Sequence, residues 1–310
     1  MKHAVFVFCT DLNKDPVASH VLSALANEVQ LIDTELEIDG CAVQKTSTPE
    51  GNRLSVVRTH EVASHDYARY APLLNAHFSD ADLIGLVNWH QGAKAPEKIF
   101  TVQTTGDMGS GSFSPVDPAL VRSLLLAIED KRQSVGLGDF HTLIEATHWS
   151  GVQYGSSGKE VLDIAASVVD IEIGSYPDDW ANPIAAKVLA RALPHVFDRA
   201  NQPLRSLLCF GGVHFEPGFC QPVFAETDGA PFATSHILPN QWLVSEGYDQ
   251  PDRIKALHAC AASVTGGVDA IVFHDKLKAS YKAMARQLAE DLGVPAVSHK
   301  KLRNPTTLTF

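Results

Sequence analysis

Residues 142–180 read TLIEATHWSGVQYGSSGKEVLDIAASVVDIEIGSYPDDW, and this stretch decides the fold class. It holds two strand-like apolar runs that each stop at reactive side chains: Glu145 and His148 close the first, and Glu172 and Ser175 close the second. In open parallel α/β sheets, ligands bind at the carboxyl ends of the strands. The pattern therefore predicts several strands that feed one crevice, which is the layout of an active site.

The same pattern recurs twice further along, in LLCFGGVHFEP and in the short turn ATSHILP. Gly211 and Gly212 let the backbone approach a ligand closely, so N–H groups there are candidates to stabilise an oxyanion. His214 just beyond them, and His236 in the second segment, are candidate proton carriers near neutral pH. An ordinary strand-to-loop bend with a surface histidine, and a structural histidine in the turn, are the alternatives.

Strand-like and helix-like runs alternate along the rest of the chain. Short segments with turn residues between them predict antiparallel hairpins over about residues 31–59. The Gly/Ser-rich stretch 104–118 and the segment 215–242 are predicted to be long loops. Strands that alternate with helices imply right-handed crossovers and a mostly parallel sheet. We predict one α/β domain over residues 1–310, with a β-hairpin and loop elaboration at about 31–115.

Composition limits the class of protein. A net charge of -11 over 310 residues argues against a general nucleic-acid coat, because non-specific binding to phosphate backbones needs clustered Lys and Arg. No apolar stretch is long enough for a signal peptide or a membrane span. The 5 cysteines are widely spaced and form no C-x-x-C pair, which is typical of a reducing, cytoplasmic protein without a thiolate zinc site. No membrane or protein partner is evident.

Strand alternation gives a first expectation for the side chains of TLIEATH. Residues two apart share a face, so Ala146 and His148 should point one way and Glu145 and Thr147 the other. A buried carboxylate is costly unless it is paired or hydrogen-bonded, so Glu145 needs a partner or a wet edge. A Glu that caps a loop and a His that is a satisfied core donor are the alternatives.

Two further features suggest ligand binding. His90 follows the strand-like run LIGLV and lies close to Lys94, as in an anion-holding loop, although a solvated loop fits equally well. The chain also has 14 histidines, and catalytic zinc typically takes three protein ligands from His and Asp/Glu. A zinc site is therefore possible, but spacing alone does not pick its ligands.

Several motifs resemble those of the D-aminoacyl-tRNA deacylases of the archaeal and plant type, and the similarity runs over nearly the whole chain. EATHWSG resembles that family's E-A-T-H-H-G-P, IEIGSYPDDW its E-I-G-S-x-x-x-W, and GGVHFEP its G-G-x-H-Y-x-P. DLNKDPVASHVLSAL resembles its N-terminal segment, SHILP its G-H-I turn and FHDKLK its D-x-K-G segment. This set, in this order, is specific to the family.

The chain departs from the family pattern at polar positions, as a divergent, bacterial-like member would. Trp149 stands where the family has a second histidine after E-A-T-H. Gln103 and Asp107 stand where its T-V-H-x-x-G-N has histidine and asparagine, and Ser235 replaces the glycine of the G-H-I turn.

The resemblance implies a three-layer α/β fold of the phosphorylase/hydrolase-like type. It also implies hydrolysis of the ester that joins a D-amino acid to the tRNA 3′ end, with zinc as cofactor and a role in translation quality control. The acidic balance favours an alternative, a hydrolase of a small acylated metabolite. The departures suggest another, a non-catalytic aminoacyl- or nucleotide-binding homologue. A basic cluster favours tRNA, namely Lys276, Lys278, Lys282, Lys300, Lys301 and Arg303.

These considerations give a set of candidate site residues. The predicted catalytic residues are His148, His214, Glu145, His236 and Glu172. The predicted substrate-binding residues are His90, Lys94, Thr147, Gly211, Gly212 and Lys276. If zinc is retained, the predicted ligands are His148, His214 and Glu145.

Overall fold

The computed structural model describes residues 1–92, 94–227, 229–304 and 308. The strands are β1 (His3–Cys9), β2 (Ile32–Ile38), β3 (Cys41–Ser47), β4 (Arg53–Thr59), β5 (Leu83–His90), β6 (Ile99–Asp107), β7 (Ser112–Phe113), β8 (His141–His148), β9 (Ser167–Gly174), β10 (Arg205–Phe210), β11 (Phe232–Leu238), β12 (Ala270–Phe273) and β13 (Ala296–Ser298). The α-helices are α1 (Ala18–Glu28), α2 (Tyr67–Phe78), α3 (Pro118–Ser134), α4 (Pro177–Trp180), α5 (Pro183–Ala192), α6 (Pro217–Phe224), α7 (Asn240–Ser245), α8 (Ile254–Ala262) and α9 (Ala279–Leu292).

The larger sheet is mixed, with a parallel centre. Its strand order is β2-β3-β4-β1-β5-β9-β6-β7, and β8 pairs with β6. Strands β4, β1, β5 and β9 run parallel to one another, whereas β2, β3 and β4 form the antiparallel hairpins predicted from the sequence. Strand β6 runs antiparallel to β9 and parallel to β8. Strands β6 and β8, which form the side of the sheet that carries Glu145, therefore run in the opposite direction to the central strands.

Helices cover both faces of the larger sheet, because its central strands are apolar on both sides. In β1, Phe6 and Phe8 pack into one core together with helices α1, α3 and α5. Val5 and Val7, on the other face, pack into a second core with helix α2. This alternation produces three layers, so the prediction of a three-layer, mostly parallel α/β fold of the phosphorylase/hydrolase-like type is confirmed.

A second sheet contains β11, β10, β12 and β13 in that order, all parallel. The prediction of a long loop over 215–242 is therefore wrong, because helix α6 and strand β11 lie within it. The polar letters of FATSHIL concealed the strand. Their side chains are buried with partners: the hydroxyl of Thr234 donates to the carbonyl of Phe219, and that of Ser235 donates to the carbonyl of Leu207. The stretch 104–118 likewise contains the short strand β7.

The two sheets share one apolar core, which contains Val102 of the larger sheet and Leu207 and Val272 of the smaller one. The loop after β10 also reaches β8, where the N–H of Ala146 donates to the carbonyl of His214 at 2.9 Å. This contact brings residues of both sheets to one place. The single domain over 1–310 stays a prediction. Within the described part of the chain, we find no helix with the length and apolarity that a bilayer crossing requires.

Candidate active site

A cleft of about 750 Å³ opens where β5, β8 and β9 meet the loop after β10. Its lining contains most of the polar residues that the sequence singled out. The described residues that line it include Ser64, His65, Asn88, Trp89, His90, Gln91, Lys94, Glu145, His148, Ser150, Gln153, Tyr154, Glu172, Val213, His214, Phe215 and Trp242. The sequence analysis predicted that several strand ends meet in one crevice. This cleft is lined by residues of β5, β8 and β9 and of the loop after β10.

Glu145 lies at the centre of a group of imidazoles. Its Oε1 is 2.7 Å from Nε2 of His214, 3.6 Å from Nε2 of His90 and 3.7 Å from Nδ1 of His148. Burial opposes ionisation of Glu145, but the His214 hydrogen bond and the neighbouring imidazoles outweigh it and lower its pKa to about 2. The partner that the sequence analysis required for Glu145 is therefore His214, and the imidazoles of His90 and His148 lie nearby without a hydrogen bond to the carboxylate.

Neighbouring groups fix the orientation and the tautomer of His90. Nδ1 of His90 is 2.8 Å from the Ser175 hydroxyl, which is itself 2.8 Å from the carbonyl oxygen of Pro96. A carbonyl only accepts, so the Ser175 hydroxyl donates to Pro96 and accepts from Nδ1–H of His90. The Nε2 of neutral His90 therefore presents a lone pair toward Glu145. Burial lowers the pKa of His90, which favours this neutral form.

A β-bulge brings His148 to the same side as Glu145. Along the β6–β8 pairing, Gln103 faces Glu145 but Thr105 already faces His148, so β8 carries one extra residue. The expectation that His148 and Glu145 point to opposite faces is therefore wrong, because a bulge breaks the two-residue alternation. Nδ1 of His148 donates to the carbonyl of Ala146 at 3.0 Å, which leaves its Nε2 as an acceptor.

Two further carboxyl groups lie behind the imidazoles. Burial, together with the charges of Glu145 and Asp170, raises the pKa of Glu172 well above its usual value. Burial also raises the pKa of Asp170 to about 7, although Nδ2 of Asn88 donates to it at 2.8 Å. The raised pKa favours the protonated form of Glu172, which lines the cleft.

The residues present fit a metal ion. Among the described residues, His90, Glu145 and His214 offer ligand atoms that all lie within 4.8 Å of one another. The second carboxylate oxygen of Glu145 is buried without a hydrogen-bond partner in the described structure. Two His and one Glu are a usual ligand set for catalytic zinc. The sequence-based ligand set contained Glu145 and His214, but His148 stands beside this group and His90 belongs to it.

His236 and Thr147 lie outside the cleft. His236 is fully buried in β11, where its Nδ1 is 3.0 Å from the hydroxyl of Thr104 and 3.2 Å from that of Thr147. Its Nε2 is 3.0 Å from the hydroxyl of Ser263. The prediction that His236 converges on the cleft with His148, His214 and Glu145 is therefore wrong, because the hydroxyl groups of Thr104, Thr147 and Ser263 hold its ring in the interior. The bulge turns Thr147 toward His236 and away from Glu145.

Gly211, Gly212 and Lys276 are also absent from the cleft lining. Both glycines have positive φ, +88° and +75°, so they make a bend that other residues resist. The bend turns Gly211 against His274 and Gly212 against Glu216, while Lys276 lies exposed beyond β12. The structure brings Glu145, His148, Glu172, His90, Lys94 and His214 together but leaves these three residues aside.

Sequence reasoning missed the aromatic walls of the cleft. Trp242 and Phe215 pack beside His214, with ring centroids 5.8 and 5.0 Å away. Trp89 and Tyr154 are part of a separate group of rings in the same cleft. The only signal was the position of Trp89 and Phe215 next to His90 and His214 in the chain.

The family of this chain follows from its sequence. The family model described as D-aminoacyl-tRNA deacylase matches residues 77–297, which include every strand that lines the cleft. The chain belongs to the D-aminoacyl-tRNA deacylase family. The resemblance read from the motifs is thereby confirmed.

Individual relatives in this family are distant. A D-aminoacyl-tRNA deacylase of Natronomonas pharaonis is 27% identical over 232 residues, 74% of this chain but only 47% of that protein. One from Pyrococcus abyssi is 24% identical over 299 residues, 90% of this chain and 95% of that protein. The crystal structure of the conserved protein of unknown function AF0625 has a TM-score of 0.76 and 17% identity, with 99% of each chain covered. This last similarity concerns the fold.

The departures from the D-aminoacyl-tRNA deacylase motifs have defined places in the structure. Trp149, at the second-histidine position, is 3% exposed and packs edge-on against Tyr67 at 5.0 Å. Gln103 is buried in β6, and its Nε2 donates to the carbonyl of His148. Neither side chain lines the cleft. The substitutions therefore leave the His90–Glu145–His214 group complete.

Proposed function

We propose that this chain hydrolyses the ester bond of D-aminoacyl-tRNA and releases the D-amino acid and free tRNA. The observation that carries the proposal is the group of His90, Glu145 and His214, with His148 beside it, in a cleft of about 750 Å³. Such a group supplies the proton transfer that cleavage of an ester requires, and a metal ion held by it would supply the positive charge. Membership of the family supports an aminoacyl ester as the substrate.

We also propose a zinc ion as cofactor, held by His90, Glu145 and His214. When bound, zinc supplies Lewis-acid polarisation and lowers the pKa of water. The Ser175 hydroxyl orients His90 for this role by accepting from its Nδ1–H, since a ligating histidine usually donates its other N–H to a fixed acceptor.

His148 is the proposed proton carrier. Its Nδ1–H donates to the carbonyl of Ala146, so its Nε2 is free to accept a proton from an attacking water. Glu172, protonated because of its raised pKa, is a second proton source in the cleft for the leaving ribose hydroxyl. Since Gly211 and Gly212 lie outside the cleft, they take no part in this scheme.

The test compares D- and L-aminoacyl-tRNA carrying the same side chain, with release of the amino acid as readout. We expect hydrolysis of the D-ester in preference to the L-ester. His148→Gln should lower the rate about 10²–10⁴-fold, since it removes a general base. The exposed His141, on the same strand, provides the matched control, and His141→Gln should leave the rate unchanged.

Two outcomes would replace the proposal. Turnover of a small D-amino acid ester without turnover of the tRNA ester would identify a hydrolase of small acylated metabolites. Absence of turnover on both, with zinc present in the reaction, would identify a binding protein.

A further inference from the structure

Three aromatic rings in the cleft form a group that takes no part in the proposed proton transfer or metal binding. The rings of His65 and Tyr154 are stacked, with centroids 3.5 Å apart and planes inclined by 17°. Trp89 meets His65 edge-on at 5.9 Å and 80°. We call this group, His65, Trp89 and Tyr154, the stacking wall. It is preformed, because its rings already contact one another in the described structure.

The stacking wall presents apolar ring surface to the cleft. Tyr154 is 57% exposed, so part of its ring is open to solvent. Gln91 and Gln153 line the cleft close to these rings in the chain and offer amide groups. A flat, solvent-open ring with hydrogen-bonding groups at its edge is the type of surface on which unpaired nucleobases stack.

The position of the wall separates it from the acyl end of the substrate. The ring contacts of Trp242 and Phe215 are with His148, His214 and His90, so these two rings border the reacting atoms. The stacking wall instead continues the cleft outward from His90 through its chain neighbour Trp89. In an aminoacyl-tRNA, the ribose and then the terminal base follow the ester in the same outward order.

The charge at the cleft agrees with a nucleotide. Lys94 is exposed and lines the cleft, and among the described lining residues it is the only lysine or arginine. It forms no ion pair with another described residue, so its ammonium group is available to a phosphate. A ring surface and an unpaired cation thus accompany each other in one cleft.

We propose that Tyr154, supported by His65 and Trp89, stacks on the terminal adenine of the tRNA 3′ end, while Lys94 contacts the adjacent phosphate. This inference rests on the proposed function, since it names the part of the same substrate that the stacking wall holds. It divides the cleft into an acyl half, bordered by Phe215 and Trp242, and a nucleotide half.

The first experiment measures binding of adenosine 5′-monophosphate, by calorimetry, without any turnover. Tyr154→Ala should weaken binding about tenfold, the usual value of one base–aromatic stack, and Tyr154→Phe should restore it. Leu162→Ala provides the matched control, because Leu162 is 51% exposed in the neighbouring 3₁₀ turn and outside the cleft lining. Lys94→Gln should weaken binding and reduce its dependence on salt.

The second experiment compares kinetics on D-aminoacyl-tRNA and on the ethyl ester of the same D-amino acid. Tyr154→Ala should raise KM for the tRNA ester about tenfold and leave the ethyl ester unchanged. Equal loss on both esters would overturn the inference, because the wall would then hold the acyl group.

The nucleotide measurement also decides the matter independently of catalysis. If wild type and Tyr154→Ala bind the nucleotide equally, or wild type does not bind it, the stacking role is wrong. If neither ester is hydrolysed but Tyr154→Ala still loses nucleotide binding, the proposed function fails and the nucleotide site stands.

Discussion

Glu145 is a buried carboxylate whose ionised form depends on its histidine neighbours. The shortest of its contacts is the 2.7 Å hydrogen bond from His214, and the other two imidazoles lie about one ångström further away. Loss of one partner from a buried charge costs more than the partnership is worth, since the charge stays without solvent. A substitution here therefore affects stability and chemistry together, and a conservative change is needed to separate them.

Substitution of His214 separates the two effects. His214→Gln keeps an N–H donor for Glu145, whereas His214→Ala leaves the carboxylate short of its closest hydrogen bond, at a cost of about 1–3 kcal/mol. Both variants remove a proposed zinc ligand and should lower kcat on D-aminoacyl-tRNA by at least about 10–100-fold, which is the usual effect of losing even a group that supports a ligand. Only the alanine variant should also lower the midpoint of thermal unfolding. A glutamine variant with wild-type kcat would show that His214 is structural.

Ser175 should control metal affinity without touching the metal. Its hydroxyl fixes the Nδ1–H tautomer of His90, and such supporting hydrogen bonds are commonly worth 10–100-fold in metal affinity. We therefore expect Ser175→Ala to raise the zinc Kd by about 10–100-fold, measured by competition with a chelating dye. Ser150 also lines the cleft, and Ser150→Ala should leave the zinc Kd unchanged. Equal affinity in both variants would contradict the proposed role of His90.

At the scale of elements, the start of helix α1 contains a carboxyl group in an unusual state. Oδ1 of Asp15 accepts from the N–H groups of Val17 and Ala18 at 2.8 and 2.9 Å. Its other oxygen is buried without a partner in the described structure, and burial raises the pKa of Asp15 to about 7. The helix start is therefore capped by an acid that prefers to be protonated.

This state predicts a pH dependence of stability. Because the pKa of folded Asp15 is raised from 3.8 to about 7, its contribution is complete below pH 3.8 and is lost as the pH rises toward 7. Within that window the free energy of unfolding should fall by about 1.4 kcal/mol per pH unit on account of this group. Asp15→Asn keeps a capping oxygen and should remove that slope, as measured by urea unfolding between pH 4 and pH 8. Parallel curves for the two proteins would contradict the raised pKa.

The elements also show how far the sequence could predict this structure. Apolar runs gave β5, β8 and β9 correctly, since a strand buried on both faces needs a continuous apolar run. Strand β11 was missed, because its Thr, Ser and His letters imply solvent unless their buried partners are known. The reversed direction of β6 and β8 was also beyond reach, since strand direction depends on long-range pairing.

For the candidate site, residue types were predictable but side-chain directions were not. His148, His214 and Glu145 were identified as a group from strand-end position alone. The position of His148 beside Glu145, and of Thr147 beside His236, depends on a one-residue bulge that leaves no local signature in TLIEATH. Which side chains meet depends on the register in which β6 and β8 pair, and the sequence of one strand alone does not determine that register.

At the scale of the whole molecule, a buried polar junction joins the two sheets. His236 of β11 contacts the hydroxyl groups of Thr104 in β6 and Thr147 in β8, and on its other side that of Ser263 after α8. The N–H of Ile237 also donates to Thr147 at 3.0 Å. A fully connected polar network of this kind fixes the relative position of the elements that it joins.

Substitution of His236 should therefore act on stability. His236→Leu removes the hydrogen bonds of the imidazole, although Thr104 and Thr147 stay bonded to each other and Ser263 to the carbonyl of Cys260, so it should lower the free energy of unfolding by about 1–2 kcal/mol. His236→Asn retains a polar side chain and should cost less. The specific activity of the folded fraction should stay within about twofold of wild type in the asparagine variant. A loss of activity at full folding would restore His236 to the catalytic residues.

The bulge in β8 has a consequence for how the sequences of relatives are compared. One extra residue shifts the alternation of a strand, so every side chain after it points to the opposite face of the sheet from the one that an unbulged strand would give it. The alternation of side chains before Ala146 therefore differs from the alternation after it. As a result, Thr147 contacts His236 in the junction, His148 lines the cleft and Trp149 is buried in the core. A relative whose β8 paired without this bulge would present a threonine to the substrate even if its residues in TLIEATH were identical. The role of a residue in this strand thus depends on the face to which its side chain points as much as on its chemical type.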